Sequence, residues 1–578
     1  MFKLKIHISF EKIFIALFLF VIIFGLIGNF LWSTGNTSIE DYFSNEGLLF
    51  SIEFFYKMQD IIDNFSLASW QKFYGVFRLL YTPVEHSSGV WPQFVYLTTS
   101  LFYLLLGNTL LAAKLSMLPY LLILALSVFF IGKKVSSILG GVVAACLTFM
   151  YPLVFESGRQ YGIYFTLTAL VSLSILVLLE CDNFRSRKYS FFLGIVVGIG
   201  MLIRGQLLFF IGIPLLYSML NAVKIYKNRF ISLDNSPSRH ILGNISIFLS
   251  VSILIGYFWW GKYLILTAHY LKMFILDPYM WRLSVSTGED RYSLATITWY
   301  LKDMYSSSIS PLFVILFLPA VYKLIREKMT EKYIFFIWLM IPLLMFSFIF
   351  SPKYTDYIMP ILPAVSILTS WWLVNMRKEK VKIIILFAIA VYSITQFYCL
   401  TFAGRDLRGG VEGENKLFGG TLFGDIKRKQ DFKFDEVTSI FREYIPGNTE
   451  IKILSISLTK ERPRDLEILY WLRLKDRNIN AVDFVQMYRY TYDNFKSMDF
   501  VILKVPEGDV LLTLPAKGKF VEMLKESNIS IEYINRFRNP IWNNLIDKFC
   551  RSYDGYKFVA RIPTSLGYSW LIFRKFLN

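Results

Sequence analysis

Long runs of nearly uncharged residues recur along this chain: Ile13–Trp32, Leu115–Ile131, Tyr161–Leu179, Tyr333–Phe350, Ile358–Val374 and Ile383–Leu400. Each is about long enough to cross the ~30 Å hydrocarbon layer of a bilayer as a helix. In that solvent a helix can satisfy every backbone amide within itself, so such runs leave few folds open. Of 578 residues, 55% are hydrophobic and 18% charged, and the charged share falls well short of a soluble domain's. The fold class expected is a polytopic α-helical membrane protein. No small-residue cleavage pattern follows the first run, which is therefore read as an uncleaved first helix.

The net charge of +18 invites a nucleic-acid reading, but its distribution argues against nucleic acid as a partner. Lys and Arg collect in short clusters between apolar runs: Lys3/Lys5/Lys12, Lys133/Lys134, Arg185/Arg187/Lys188, Lys224/Lys227/Arg229/Arg239, Lys323/Arg326/Lys328/Lys332 and Arg377/Lys378/Lys380/Lys382. Such clusters mark cytoplasmic loops. Pro92–Leu106 decides the topology. If it spans, successive basic clusters fall outside, so it is better read as an interfacial or re-entrant helix, short for a crossing. Helices near 113–132, 138–155, 161–180, 190–204, 206–222, 241–262, 309–325, 333–351, 357–375 and 383–402 then put every cluster inside. With the first helix this predicts about eleven spans, an N-terminus in the cytoplasm and residue 403 onward outside, in a plasma or inner membrane.

The expected organisation is a transmembrane module over 1–403, a linker over 404–429 and a soluble extracytoplasmic α/β domain over 430–578. Within the module, 33–112 forms a first outer loop with interfacial helices and 263–308 a second long outer loop. In the C-terminal part, apolar runs at Ile451–Ser457, Ala481–Val485, Phe500–Val505, Ile529–Ile534, Tyr556–Arg561 and Ser569–Arg574 read as strands. Arg464–Leu474 and Ala516–Glu526 read as helices. No GxGxxG or GxxxxGK[ST] occurs there, so a nucleotide site has no support. Cys146, Cys181, Cys399 and Cys550 form no CxxC and no ligand spacing with His, which argues against a metal or a disulfide framework. Elaboration on one face suits an enzyme or receptor working at that face.

Three outer stretches could carry chemistry. Ile39–Gly47 sets Glu40, Asp41 and Glu46 just past the first membrane helix. Leu48–Ile62 follows with apolar residues at helical spacing and Glu53, Lys57 and Asp60 opposite, as in a helix lying on a membrane. A carboxylate there can act as general base toward a substrate whose lipid tail stays in the bilayer; solvated loop charge is the alternative. Arg159 and Arg204 lie at outer helix ends, against the basic-inside pattern. A guanidinium offers a planar fork of donors to phosphate; snorkelling, or pairing of Arg159 with Glu156, is the alternative. The turn Ser351–Ala364 gathers Lys353, Tyr354, Asp356 and Tyr357 before a proline-marked helix start. In 263–308, His269, Arg282 and Arg291 alternate with Tyr and Trp in the manner of a sugar-binding surface, though aromatics are common at membrane interfaces.

Taken in order, these stretches resemble the glycosyltransferase C superfamily, in particular its dolichyl-phosphate-mannose–protein mannosyltransferase-like and aminoarabinose-transferase-like branches (families 39 and 83). Asn45-Glu46-Gly47 resembles the family's Asp-Glu motif, and Trp91-Pro92-Gln93-Phe94 with Gly107 its Pro-Pro-Leu helix. The Pro152–Arg159 turn, Gly194–Gly205 and Lys353-Tyr354 to Pro363-Ala364 follow in the family's order over residues 10–400. The resemblance implies inverting transfer of a sugar from a polyprenyl-phosphate donor to a glycan, lipid or protein acceptor on the extracytoplasmic face, among membrane lipids and with no cofactor. By it Glu46 would be the catalytic carboxylate, with Asp41 able to take that role. Arg159, Arg204 and Lys353 would neutralise the departing lipid phosphate, and Tyr354, His269, Arg282 and Arg291 would line the substrate. Asn45 stands where the family has Asp, and Tyr164 where an acid is often found. The rival readings are a lipid-linked-glycan flippase or other transporter, a polysaccharide polymerase or ligase with a lipid-diphosphate donor, and a receptor or scaffold.

Overall fold

The computed structural model describes residues 10–35, 42–64, 66–82, 92–231, 240–276, 292–326, 333–350, 353–401, 433–447, 449–457, 466–483, 498–506, 510–511, 531–532, 556–563 and 568–575. Its helices begin with α1 (Phe10–Gly35), α2 (Tyr42–Ile62), α3 (Ser69–Leu80), α4 (Phe94–Leu106), α5 (Leu110–Leu115) and α6 (Leu118–Val135). They continue with α7 (Ile138–Met150), α8 (Pro152–Ser157), α9 (Ile163–Glu180), α10 (Arg187–Met201), α11 (Leu207–Ile231) and α12 (Ile241–Leu276). After these come α13 (Leu294–Ile297), α14 (Trp299–Asp303) with a π turn over Met304–Ser308, α15 (Pro311–Arg326) and α16 (Tyr333–Phe348). A 3₁₀ segment over Thr355–Ile361 leads into α17 (Leu362–Val374) and α18 (Glu379–Thr401). The C-terminal part adds α19 (Phe434–Tyr444), β1 (Ile451–Ser457), α20 (Leu466–Lys475), β2 (Ile479–Asp483), β3 (Phe500–Pro506), β4 (Val510–Leu511), β5 (Ile531–Glu532), β6 (Tyr556–Pro563) and β7 (Tyr568–Lys575).

Two compact units result. One comprises Met1–Asn36 with Asp60–Lys427, the other Thr37–Gln59 with Arg428–Asn578. The first is a polytopic helical assembly. Seven of its helical stretches are long and apolar enough to cross a membrane, and Phe94–Leu106, Ile138–Met150 and Ile334–Phe348 are shorter apolar helices. The expected count of eleven is not reached by that measure among the described residues. The segment expected to span 138–155 divides into α7 and α8, because Pro152 opens a new helix and cannot continue the old one. At 13 residues α4, expected to be interfacial or re-entrant, is about 20 Å long, less than a bilayer core.

Close helix approach in this unit rests on small residues, the device available where apolar side chains gain nothing from leaving lipid. Gly194 and Gly198 of α10, one turn apart, face Val251 and Ile255 of α12. Gly132 of α6 lies against the backbone of Gly141 in α7, and a Cβ on Gly141 would meet the carbonyl oxygen of Phe129 at 2.5 Å. The helix α3 buries none of its residues and exposes Trp70, Phe73 and Tyr74. By contrast α2, expected to lie on the membrane by one face, buries Leu48, Leu49, Phe50, Ile52, Phe54, Phe55, Tyr56 and Met58, covering most of its circumference.

In the second unit the five-stranded sheet runs β2-β1-β3-β7-β6. β1 pairs parallel with β2 and β3, and β7 antiparallel with β3 and β6. Phe434, Val437 and Phe441 of α19 recur at helical spacing and pack with Ile451, Ile453, Leu472, Phe500, Ile502, Trp570 and Ile572 into one core. Arg442 ties α19 to the end of α20 through Asp476, with Nε to Oδ2 at 2.6 Å. The expected strands at 451–457, 500–505, 556–561 and 569–574 coincide with β1, β3, β6 and β7. The expected helix 516–526 and the linker 404–429 lie outside the described residues.

A Gly141→Ala substitution is expected to lower thermal stability in detergent by about 1–3 kcal/mol, since backbone must move to admit the methyl group. Gly212→Ala, inside α11 where a Cβ meets nothing within 4 Å, is expected to leave it unlowered or slightly raised. Thermal unfolding of the two variants side by side checks the difference.

Candidate functional site

The first unit gathers two of the sequence-predicted cations around one layer of aromatic rings. Arg204 follows α10, where the turn Leu202–Gln206 hands the chain to α11, and it is 4% exposed. Its Nη1 donates to the Tyr164 hydroxyl at 2.7 Å, and its guanidinium carbon lies 4.5 Å from the centre of that ring. Tyr164 stands in the first turn of α9, after Gly162. Its ring packs on Tyr357 at 5.2 Å, and Tyr357 packs on Tyr354 at 5.2 Å and Phe346 at 5.6 Å.

Lys353, likewise 4% exposed, lies at the other end of this layer. Its ammonium donates to the carbonyls of Ser347 at 2.9 Å and Phe350 at 3.0 Å, and also to that of Phe346. The Phe346 and Ser347 carbonyls close α16 and that of Phe350 lies just past it, where a helix leaves its last acceptors unpaired and presents the negative end of its dipole. The same ammonium lies 5.4 Å from the centre of the Tyr300 ring. An ammonium has three donors, so a phosphate oxygen at Lys353 would replace one of these carbonyls.

Asp303 completes the cluster from α14. It is buried, and its carboxylate accepts from Ser308 at 2.6 Å and Thr355 at 2.9 Å. It thereby joins the π turn to the residue two places after Lys353. Burial pushes its carboxyl up to about 6 from the ordinary 3.8, while the two hydroxyl donors act in the opposite direction. Sequence reasoning passed over Asp303 and Tyr300. The one available signal was a single acid in the aromatic stretch Thr298–Tyr305, shortly before the helix that Pro311 opens.

Arg159 is in different company. It is buried, with its guanidinium carbon 4.1 Å from the Trp32 ring centre and 4.6 Å from that of Phe155, while Ser33 donates to its carbonyl at 3.0 Å. Lys114, also buried, lies 5.1 Å from the same Trp32 ring. Glu156, also buried, accepts from Gln160 at 3.1 Å. Tyr354 joins the Tyr357 layer with its side chain half exposed, and His269 is exposed on α12. Glu46 stands early in α2, within the second unit. Asp41, Arg282 and Arg291 lie outside the described residues.

Among solved structures, ArnT from Cupriavidus metallidurans bound to undecaprenyl phosphate superposes with a TM-score of 0.53. The match covers 96% of this chain and 97% of that one at 13% identity. The apo form of the same protein gives 0.52 at 12% identity. An oligosaccharyltransferase from Archaeoglobus fulgidus gives 0.43 over 84% of this chain. No family model matches the chain, and no curated protein matches it in sequence. The ArnT likeness establishes the fold.

The raised carboxyl of Asp303 has a defined consequence for stability. Folding favours its protonated form, so this contribution is full below about 3.8, declines as pH rises to about 6 and is flat above. The melting temperature of the wild type relative to Asp303→Asn is therefore expected to fall between pH 4 and 6.5 and then level off. A difference independent of pH would contradict the assignment.

Proposed function

We propose that the protein is a membrane glycosyltransferase that moves a sugar from a polyprenyl-phosphate donor to an acceptor hydroxyl on the extracytoplasmic face. The observation that carries this reading is the pair of buried cations, Arg204 over Tyr164 and Lys353 over Tyr300, at rings that connect through Tyr357 and Phe346. They occur in a chain with the fold of a protein crystallised with undecaprenyl phosphate.

In the proposed reaction the acceptor oxygen attacks the anomeric carbon. Its proton passes to a carboxylate, and the bond from that carbon to the phosphate oxygen breaks. One displacement inverts the configuration, and the polyprenyl phosphate leaves with the electron pair. Charge grows on the leaving oxygen, where fixed cations stabilise the transition state most. Arg204 would hold the phosphate through the guanidinium edge that now meets Tyr164, and Lys353 would act by charge or by exchanging a helix carbonyl for a phosphate oxygen. Arg159 would assist from the Trp32 side. Glu46 would be the base, with Asp41 next to it in role, since Asn45 carries an amide that cannot take a proton. Tyr354, His269, Arg282 and Arg291 would contact sugar or acceptor.

The test is transfer of label from polyprenyl-phosphate sugars to membrane acceptors by purified full-length protein in detergent, beside Glu46→Gln. A positioned general base contributes on the order of 10²–10⁴ in rate. The variant is expected to lose turnover by about that factor while still binding donor. Full activity in a folded Glu46→Gln protein would remove Glu46 from the role.

A further inference from the structure

The second unit unites two pieces of chain far apart in sequence, Thr37–Gln59 and Arg428–Asn578. The first piece is most of α2, the helix that bears Glu46. One buried side chain joins them. The Tyr56 hydroxyl donates to the carbonyl of Arg473 at 3.0 Å, 417 residues away in sequence. Over the Tyr56 ring lie two guanidinium groups, those of Arg473 and Arg477, each 5.6 Å from its centre. This is within the range at which a cation is attracted to an aromatic face. Arg473 in turn donates from Nη1 to the carbonyl of Ile479 at 2.7 Å, where β2 begins. A continuous path of contacts therefore runs from α2 through the last turn of α20 into the sheet.

We infer that the C-terminal unit serves as the holder of α2, with Tyr56 clamped by Arg473 and Arg477 as the positioning contact for the helix that carries the reacting carboxylate. The inference rests on the transferase reading for its catalytic consequence, but not for the anchor itself. Glu46 and Tyr56 belong to one uninterrupted helix, so a shift at Tyr56 is transmitted along a rigid rod of about 15 Å. A carboxylate that must reach an acceptor proton depends on its placement more steeply than substrate affinity does. The clamp thus acts on turnover and leaves the Arg204–Lys353 cluster, in the other unit, unaltered.

The experiment uses full-length protein in detergent as wild type, Tyr56→Leu, Tyr56→Phe, Arg477→Ala and, as a control elsewhere on α20, Lys475→Ala. Amide hydrogen exchange of α2 is measured together with sugar turnover and binding of undecaprenyl phosphate. In Tyr56→Leu, exchange in α2 is expected to rise about tenfold or more and kcat to fall in parallel, with donor affinity unchanged. Tyr56→Phe, which keeps the ring, and Arg477→Ala should fall between Tyr56→Leu and wild type, and Lys475→Ala should match wild type. Wild-type exchange in folded Tyr56→Leu would overturn the anchor, and loosened α2 with undiminished kcat would overturn the positioning role. Absence of transfer by the wild type from any polyprenyl-phosphate sugar, with α2 still loosened by Tyr56→Leu, would instead overturn the transferase reading and leave the anchor standing.

Discussion

Taking a cation out of water costs several kcal/mol unless other groups replace its hydration. The first unit does this for Arg204 and Lys353 by two different means. Arg204 is solvated by a tyrosine hydroxyl and a ring face. Lys353 is solvated by the carbonyl end of α16 and the face of Tyr300. Those provisions fix the local architecture. The first turn of α9 must present Tyr164, α16 must stop where its last carbonyls meet an ammonium, and the Thr355–Ile361 segment must set Tyr357 between them. Asp303 then holds the Lys353 turn through Thr355. Remove the two charges and little reason remains for so many polar groups to be gathered at these helix ends.

The chemistry proposed for the site follows from the same fact. Aromatic faces and carbonyl dipoles stabilise a cation without neutralising it, so the field it exerts on an incoming anion is retained. Tyr164 gives Arg204 such a contact through its hydroxyl and its ring face. Trp32 and Phe155 do the same for Arg159, with Lys114 on the same indole. The two cationic groups have distinct aromatic supports.

Much of this was legible in the sequence. Apolar runs located the helices, because the length and uniformity of such a run reflect the solvent around it. Short apolar runs set in a charged stretch located β1, β3, β6 and β7. The grouping of Arg204 with Lys353 was reached through the order of motifs, as no local pattern brings residues 204 and 353 together. Other features escaped. Asp303 is one acid in an aromatic loop, and its burial depends on helices distant in sequence. Tyr56 of α2 meets Arg473, 417 residues further on, a contact that the helix's own amphipathic pattern does not carry. The end of α7 at Met150 and the start of α8 at Pro152 could be read from the proline alone, yet the apolar run through them masks the break.

Arg204 and Lys353 are the residues proposed to hold the donor phosphate. That role is tested most directly by the affinity of undecaprenyl phosphate for the purified protein, compared between wild type and the Arg204→Ala, Lys353→Ala double variant. Losing charge-assisted contacts worth about 1.5–3 kcal/mol each predicts binding weaker by at least roughly a hundredfold, whereas superficial contacts would be screened away by salt in the wild type itself. The buried site described here predicts instead that wild-type affinity persists at high salt and collapses in the double variant. Unchanged affinity in a folded double variant would contradict the account.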